Sequence, residues 1–115
     1  MEINFFDPQH VPQPKDNIRI ESLKASPYPD GWRVRVAVDV TPFQERPSLA
    51  VKLIKDGQTE VGSLDIIETM HRNMEFTIHI RYVASPVGAY TLTAALYFGD
   101  DPKQSQHQVE TQFSI

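Results

Sequence analysis

Residues 32–40 read WRVRVAVDV, and the parity of this stretch decides the fold. Val34, Val36, Val38 and Val40 alternate with Arg33, Arg35, Ala37 and Asp39. Successive side chains of a strand point to opposite faces, so the segment has one apolar face and one wet face. The period is two, whereas an amphipathic helix needs one near 3.6. The pattern recurs in Phe76, Ile78, Ile80 and Tyr82, which alternate with Glu75, Thr77, His79 and Arg81. It recurs again in Tyr90, Leu92, Ala94, Leu96 and Phe98, and in Val109, Thr111, Phe113 and Ile115.

Working outward, three weaker strands complete the set. Ile18 and Ile20 share a face, and Leu23 has the opposite parity, which predicts a bulge or the end of the strand. Leu49, Val51 and Leu53 alternate with Ala50, Lys52 and Ile54, a strand expected to be covered on both sides. Val61, Leu64 and Ile66 form its return partner, with room for a bulge at Gly62-Ser63. Between these two strands, Lys55-Asp56-Gly57-Gln58 reads as a tight hairpin, because Asp-Gly supplies the positive φ angles of a two-residue turn. Pro27, Pro29, Asp30 and Gly31 separate the first two strands, Pro42 and Pro47 bracket the next loop, and Pro86 and Gly88 mark another. Residues 67–74 have room for one helical turn at most.

Composition narrows the classes. The 115 residues fit one domain. The absence of cysteine suits a reducing compartment, and no basic, apolar leader opens the sequence, so a cytoplasmic protein is expected. The apolar runs are too short to span a bilayer. A net charge of −4 argues against nucleic acid as a partner, since neutralising many phosphates takes a clustered basic surplus.

Seven strands with turns this frequent predict an all-β, seven-stranded immunoglobulin-like sandwich, preceded by an extended N-terminal arm. Residues 1–15 are assigned to the arm and 16–115 to the sandwich. The run Gly88-Ala89-Tyr90-Thr91-Leu92 resembles the tyrosine corner of immunoglobulin-like domains, where a Tyr near the start of strand F bonds backbone upstream. Leu92 stands where that family usually carries a cysteine. Strand count and order also resemble fibronectin type III domains, which implies sheets A-B-E and C′-C-F-G. Trp32 begins its strand, whereas the tryptophan of that family sits late in strand B. The resemblance implies a scaffold for adhesion, interaction or spacing.

No residue pattern points to catalysis. Cysteine nucleophiles are excluded, no serine lies in a Gly-x-Ser-x-Gly elbow, and Asp100-Asp101 falls in a polar loop where nothing raises a carboxyl pKa. The five glycines form no phosphate loop, and His10, His71, His79 and His107 have no metal-ligand spacing. No cofactor and no metal are expected, and the chain is not expected to be an enzyme.

Three surfaces carry the binding candidates. Arg33, Arg35, His79 and Arg81 share the outer face of sheet A-B-E and form a candidate anion patch. Pairing Arg33 with Arg81 would set Arg35 against His79 and Asp39 against Glu75, so like charges would need an offset register, a nearby counter-charge or an anion. Phe43, Arg46, His71 and Arg72 form a candidate ligand site at a loop end, with carbohydrate as the example. In the arm, Ile3, Phe5, Phe6 and Val11 lie among prolines that favour an extended edge path, which makes them interface candidates. The expected role is a non-enzymatic protein-interaction or assembly module, with self-association among its forms. The alternative is an accessory domain that binds a ligand through the loop end.

Overall fold

Seven strands are present in the computed structural model, which describes residues 11–115. They are β1 (Ile20–Pro27), β2 (Arg33–Val40), β3 (Ser48–Lys55), β4 (Thr59–Ile66), β5 (Asn73–His79), β6 (Ala89–Tyr97) and β7 (His107–Ser114). A single 3-10 turn, Lys15–Asn17, precedes them. Two antiparallel sheets form, one ordered β1-β2-β5 and the other β4-β3-β6-β7. These are the expected sheets A-B-E and C′-C-F-G.

The valine ladder sets the inner face. Val34, Val36, Val38 and Val40 are each 0% exposed, while Arg35 opposite them is open to solvent. They pack against Leu49, Val51 and Leu53 of β3 and Leu92, Ala94 and Leu96 of β6 in one core. Val109, Phe113 and Ile115 close that core along β7. The first strand does carry a bulge, between Ile20 and Ser22, which turns Leu23 onto the core side. Val61 is an extra residue in β4, opposite the step from Leu53 to Ile54. The Asp56-Gly57 turn has φ of 53° and 68°, and Gln58 N–H donates to Lys55 O at 3.1 Å. Positive φ at both positions matches the twist of the flanking strands.

Two expectations need correction, and of the alternatives left open for the charged face the offset register is the one found. Tyr82 does not follow Phe76, Ile78 and Ile80 into the core: it is 83% exposed with φ 69°. The reason is that β5 ends at His79 and the chain then crosses to the other sheet, where Arg81 N–H donates to Val61 O at 2.9 Å. Strand β3 is fully covered on its outer side only at Ser48 and Ala50; Lys52 is exposed and Ile54 is half-buried. Finally, β2 and β5 pair two residues away from the clashing register. Arg33 faces His79, Arg35 faces Thr77, and Asp39 faces Asn73.

That register places opposite charges and hydrogen-bonding partners within reach. Arg35 Nη2 lies 2.6 Å from Glu75 Oε1 on the diagonal, and Asn73 Nδ2 donates to Asp39 Oδ1 at 2.6 Å. Tyr90, 2% exposed, stacks on Phe113 with centroids 5.2 Å apart. Its hydroxyl donates to Pro86 O at 2.5 Å, four residues upstream, in the geometry of a tyrosine corner. Burial, and then the charge of Asp56, push the Tyr90 phenol above its ordinary pKa.

Candidate functional site

The four residues of the anion patch divide into two pairs. Arg33 Nε lies 2.8 Å from Asp30 Oδ2, and its guanidinium sits 4.3 Å from the centroid of the Tyr28 ring. Arg35 is held by Glu75. The Arg35 guanidinium beside Glu75 holds that carboxyl below the usual carboxylate range, and Asp30 is held low by the Trp32 N–H and by Arg33. Two of the four residues are therefore already paired with carboxylates. His79 and Arg81 remain, and both are exposed at the end of β5.

Those two residues line a groove that the sequence did not disclose. It is about 340 Å³ and lies between the edge strands β4 and β5, where the two sheets part. Its polar lining comes from Glu60 and Ser63 on one side and from Thr77, His79, Arg81 and Tyr82 on the other. Val61, Leu64 and Ile78 supply its apolar floor. The sheets approach closely here because position 62 is glycine: a Cβ there would stand 2.4 Å from Ile78 Cγ2. A second cleft, of about 350 Å³, opens beside the Asp56-Gly57 turn against Tyr90 and Phe113.

The loop-end candidates do not converge on either cleft. Phe43 is half-buried against the core, and Gln13 bridges to it through the backbone. Arg72 acts as a strap: its Nε donates to Val40 O at 3.2 Å and its Nη2 to Glu21 Oε1 at 2.8 Å. Buried Thr69 organises the same loop, its N–H donating to Pro47 O at 2.9 Å and its hydroxyl to His71 O at 3.1 Å. Arg46 and His71 are exposed. Among the described residues, no group of three or more His, Asp or Glu could hold a metal ion.

Of the arm candidates, Val11 is half-buried, and Ile3, Phe5 and Phe6 lie outside the described residues. One histidine has a part the sequence did not indicate. His107, at the start of β7, accepts the Ile20 N–H at Nδ1 across 2.9 Å, which ties the two sheets together at β1 and β7. The tie is a contact between residues 87 positions apart, and no local pattern signals it.

Comparison with known proteins places this architecture. No family model matches the chain, and no curated protein matches it. Solved structures do. A β-glucuronidase from Ruminococcus gnavus superposes with a TM-score of 0.53 at 11% identity, covering 86% of this chain and 16% of that one. A glycosyl hydrolase family 2 member from Bacteroides cellulosilyticus DSM 14838 gives a TM-score of 0.56 at 10% identity, with 85% and 15% covered. The chain thus spans about a sixth of the length of the structures it resembles, and what it shares with them is the β-sandwich.

Proposed function

We propose that this chain is a non-catalytic interaction or assembly module that binds protein, including a second copy of itself, in the cytoplasm. The observation that carries the reading is the exposure of large apolar side chains at both loop ends. Trp32, Tyr82 and Val87 stand open at one end, and Ile67 and Met70 at the other. Grouped apolar side chains left in water mark contact surfaces more often than isolated ones do. The comparisons support a modular role, because a sandwich of this kind occupies a small share of much longer chains. A second reading, an accessory domain beside a carbohydrate-processing enzyme, is favoured by the descriptions of those chains as a β-glucuronidase and a glycosyl hydrolase.

The arm provides the test. Burying Ile3, Phe5 and Phe6 would contribute about 1.5–3 kcal/mol each before the entropy of ordering them is subtracted. If they pack on a second copy, deleting residues 1–12 converts an oligomer to a monomer, and the full chain melts at a concentration-dependent temperature. If they pack on their own domain, the deletion lowers the melting point and leaves the mass unchanged. Light scattering on both chains across a dilution series reads the difference. A full chain that stays monomeric at high concentration removes self-assembly.

A further inference from the structure

We infer that the groove between β4 and β5 binds a carboxylate-bearing sugar, with Arg81 taking the carboxylate and the Tyr82 ring covering a face of the sugar. The inference is independent of the assembly reading, since it concerns the sandwich edge and not the arm.

Among the three arginines of the candidate anion patch, Arg81 differs from the other two. Arg33 and Arg35 have carboxylate partners at 2.8 and 2.6 Å, whereas Arg81 has none within ion-pair distance among the described residues. Glu60, the acid of the groove, is approached by Lys52 at 3.9 Å. Among the described residues, the groove therefore offers a guanidinium without a carboxylate partner, and the His79 imidazole also lines it. A guanidinium presents parallel N–H donors that match a carboxylate at both oxygens.

The backbone of Tyr82 is held at a conformational cost. Tyr82 has φ 69°, a region that side chains other than glycine seldom enter, and its ring is in water. The backbone is pinned on the approach to it: Ile80 N–H donates to Trp32 O at 2.8 Å, and Arg81 N–H to Val61 O at 2.9 Å. The crossing between sheets therefore fixes the backbone from which the Tyr82 side chain projects, and that side chain lines the groove together with Arg81. Strain of this kind collects where a binding surface is built.

The remaining lining fits a polyol. Ser63 and Thr77 are hydroxyls that can donate or accept, and Thr77 is oriented by the Tyr28 hydroxyl at 3.1 Å. Glu60 accepts. A sugar ring with one carboxylate has an apolar C–H face for Tyr82, hydroxyls for Glu60, Ser63 and Thr77, and an anion for Arg81. Inorganic phosphate would use the cation alone. A neutral sugar would leave the cation unused. A groove of about 340 Å³ is within the size range of small-molecule sites.

Amide-resolved NMR titration of the full chain tests this, with D-glucuronate, D-galacturonate, the neutral sugars D-glucose and D-galactose, and sodium phosphate as probes. At least one uronate should shift the amides of Thr77, His79, Arg81 and Tyr82 in a saturable way, with Kd on the order of 1 mM. The matching neutral sugar and phosphate should bind at least about tenfold more weakly, which is the loss of one charge-assisted contact. Arg81→Gln should weaken the uronate by a similar factor. Tyr82→Gly should weaken it too while leaving the melting point unchanged or higher, because glycine accepts the positive φ, and this separates lost binding from lost folding. No shift at the groove with either uronate would overturn the proposal. So would phosphate binding as tightly as the uronate, or uronate binding that survives Arg81→Gln.

Discussion

Replacing Gly62 with alanine tests the close approach between β4 and β5. The added Cβ would lie 2.4 Å from Ile78 Cγ2 and 3.1 Å from His79 O. Carbon atoms in contact rest at about 3.5–4.0 Å, so the overlap with Ile78 exceeds about 1 Å. Ile78 is buried and β-branched, its χ1 is stiff, and the offending methyl is attached at Cβ. The methyl cannot swing aside alone, so the edges of β4 and β5 must part. Overpacking of this kind costs about 1–3 kcal/mol. Gly62 does not occupy the positive-φ region, so alanine brings no backbone strain and returns about 0.4–1 kcal/mol by stiffening the unfolded chain. Taking the middle of both ranges, the net loss is about 1–2 kcal/mol. With about 2.1 cal/mol/K per residue over 115 residues, each kcal/mol moves the melting point by about 4 °C. Thermal unfolding by circular dichroism should therefore show Gly62→Ala melting about 4–8 °C lower. Adding Ile78→Leu, which has a single γ carbon, should recover part of the loss. A Gly62→Ala protein that melts at or above the parent temperature would refute the close approach, and with it the shape of the groove.

The packing and the ion pairs lead to further expected outcomes. Tyr90→Phe removes the bond to Pro86 O and should cost about 0.5–1.5 kcal/mol by urea titration, while Leu92→Ala, which empties core volume, should cost about 2–5 kcal/mol. Because the folded state raises the Tyr90 phenol, its contribution is complete below the ordinary value of 10.0 and is lost as pH rises through the folded value; Tyr90→Phe should lack that alkaline loss. Val36→Asp puts an unpaired charge into a fully buried site and should abolish the cooperative melt, whereas Arg35→Glu, on the exposed face, should cost under about 1 kcal/mol; survival of Val36→Asp would refute the strand parity. The Glu75 carboxyl is depressed by Arg35, so its stabilisation is present above the ordinary value of 4.5 and is lost as pH falls through the folded value. An acid titration of Glu75→Gln should show a shallower loss of stability in that window, and an unchanged slope would mean that the pair is not formed in solution.

What the sequence made legible depended on distance along the chain. Alternation in 32–40 and 90–98 is a local signal, and it placed one central strand of each sheet, β2 and β6, with their buried faces. The Asp56-Gly57 turn was readable because only two residues decide it. The register of β2 on β5 was not, since it depends on two segments that share no turn and are separated by the β3–β4 hairpin. Arg35 and Glu75 were both in view, but which of them met was a question of a two-residue slide. Tyr82 was misplaced for a related reason: its parity matches that of Phe76, Ile78 and Ile80, and parity carries no mark of where a strand leaves its sheet. The groove was hidden altogether, because Ser63 and Arg81 become neighbours only when the edges of two different sheets are brought together. At the loop end, composition did not tell which side chains serve the fold: Phe43 packs on the core and Arg72 straps the loop, while Arg46 and His71 stay exposed.

The order of the strands has a consequence for how the chain reaches this state. β2 pairs with β5, and β3 pairs with β6, so the two long-range pairings interleave along the sequence. Completing the three-stranded sheet encloses the β3–β4 hairpin, and completing the four-stranded sheet encloses β5. No single cut separates one sheet from the other, and no contiguous fragment contains a whole sheet without part of its partner. Such a chain has no stable half: folding should be all-or-none, and it should be slow for a domain of this length, in the millisecond-to-second range of sandwiches dominated by distant pairings.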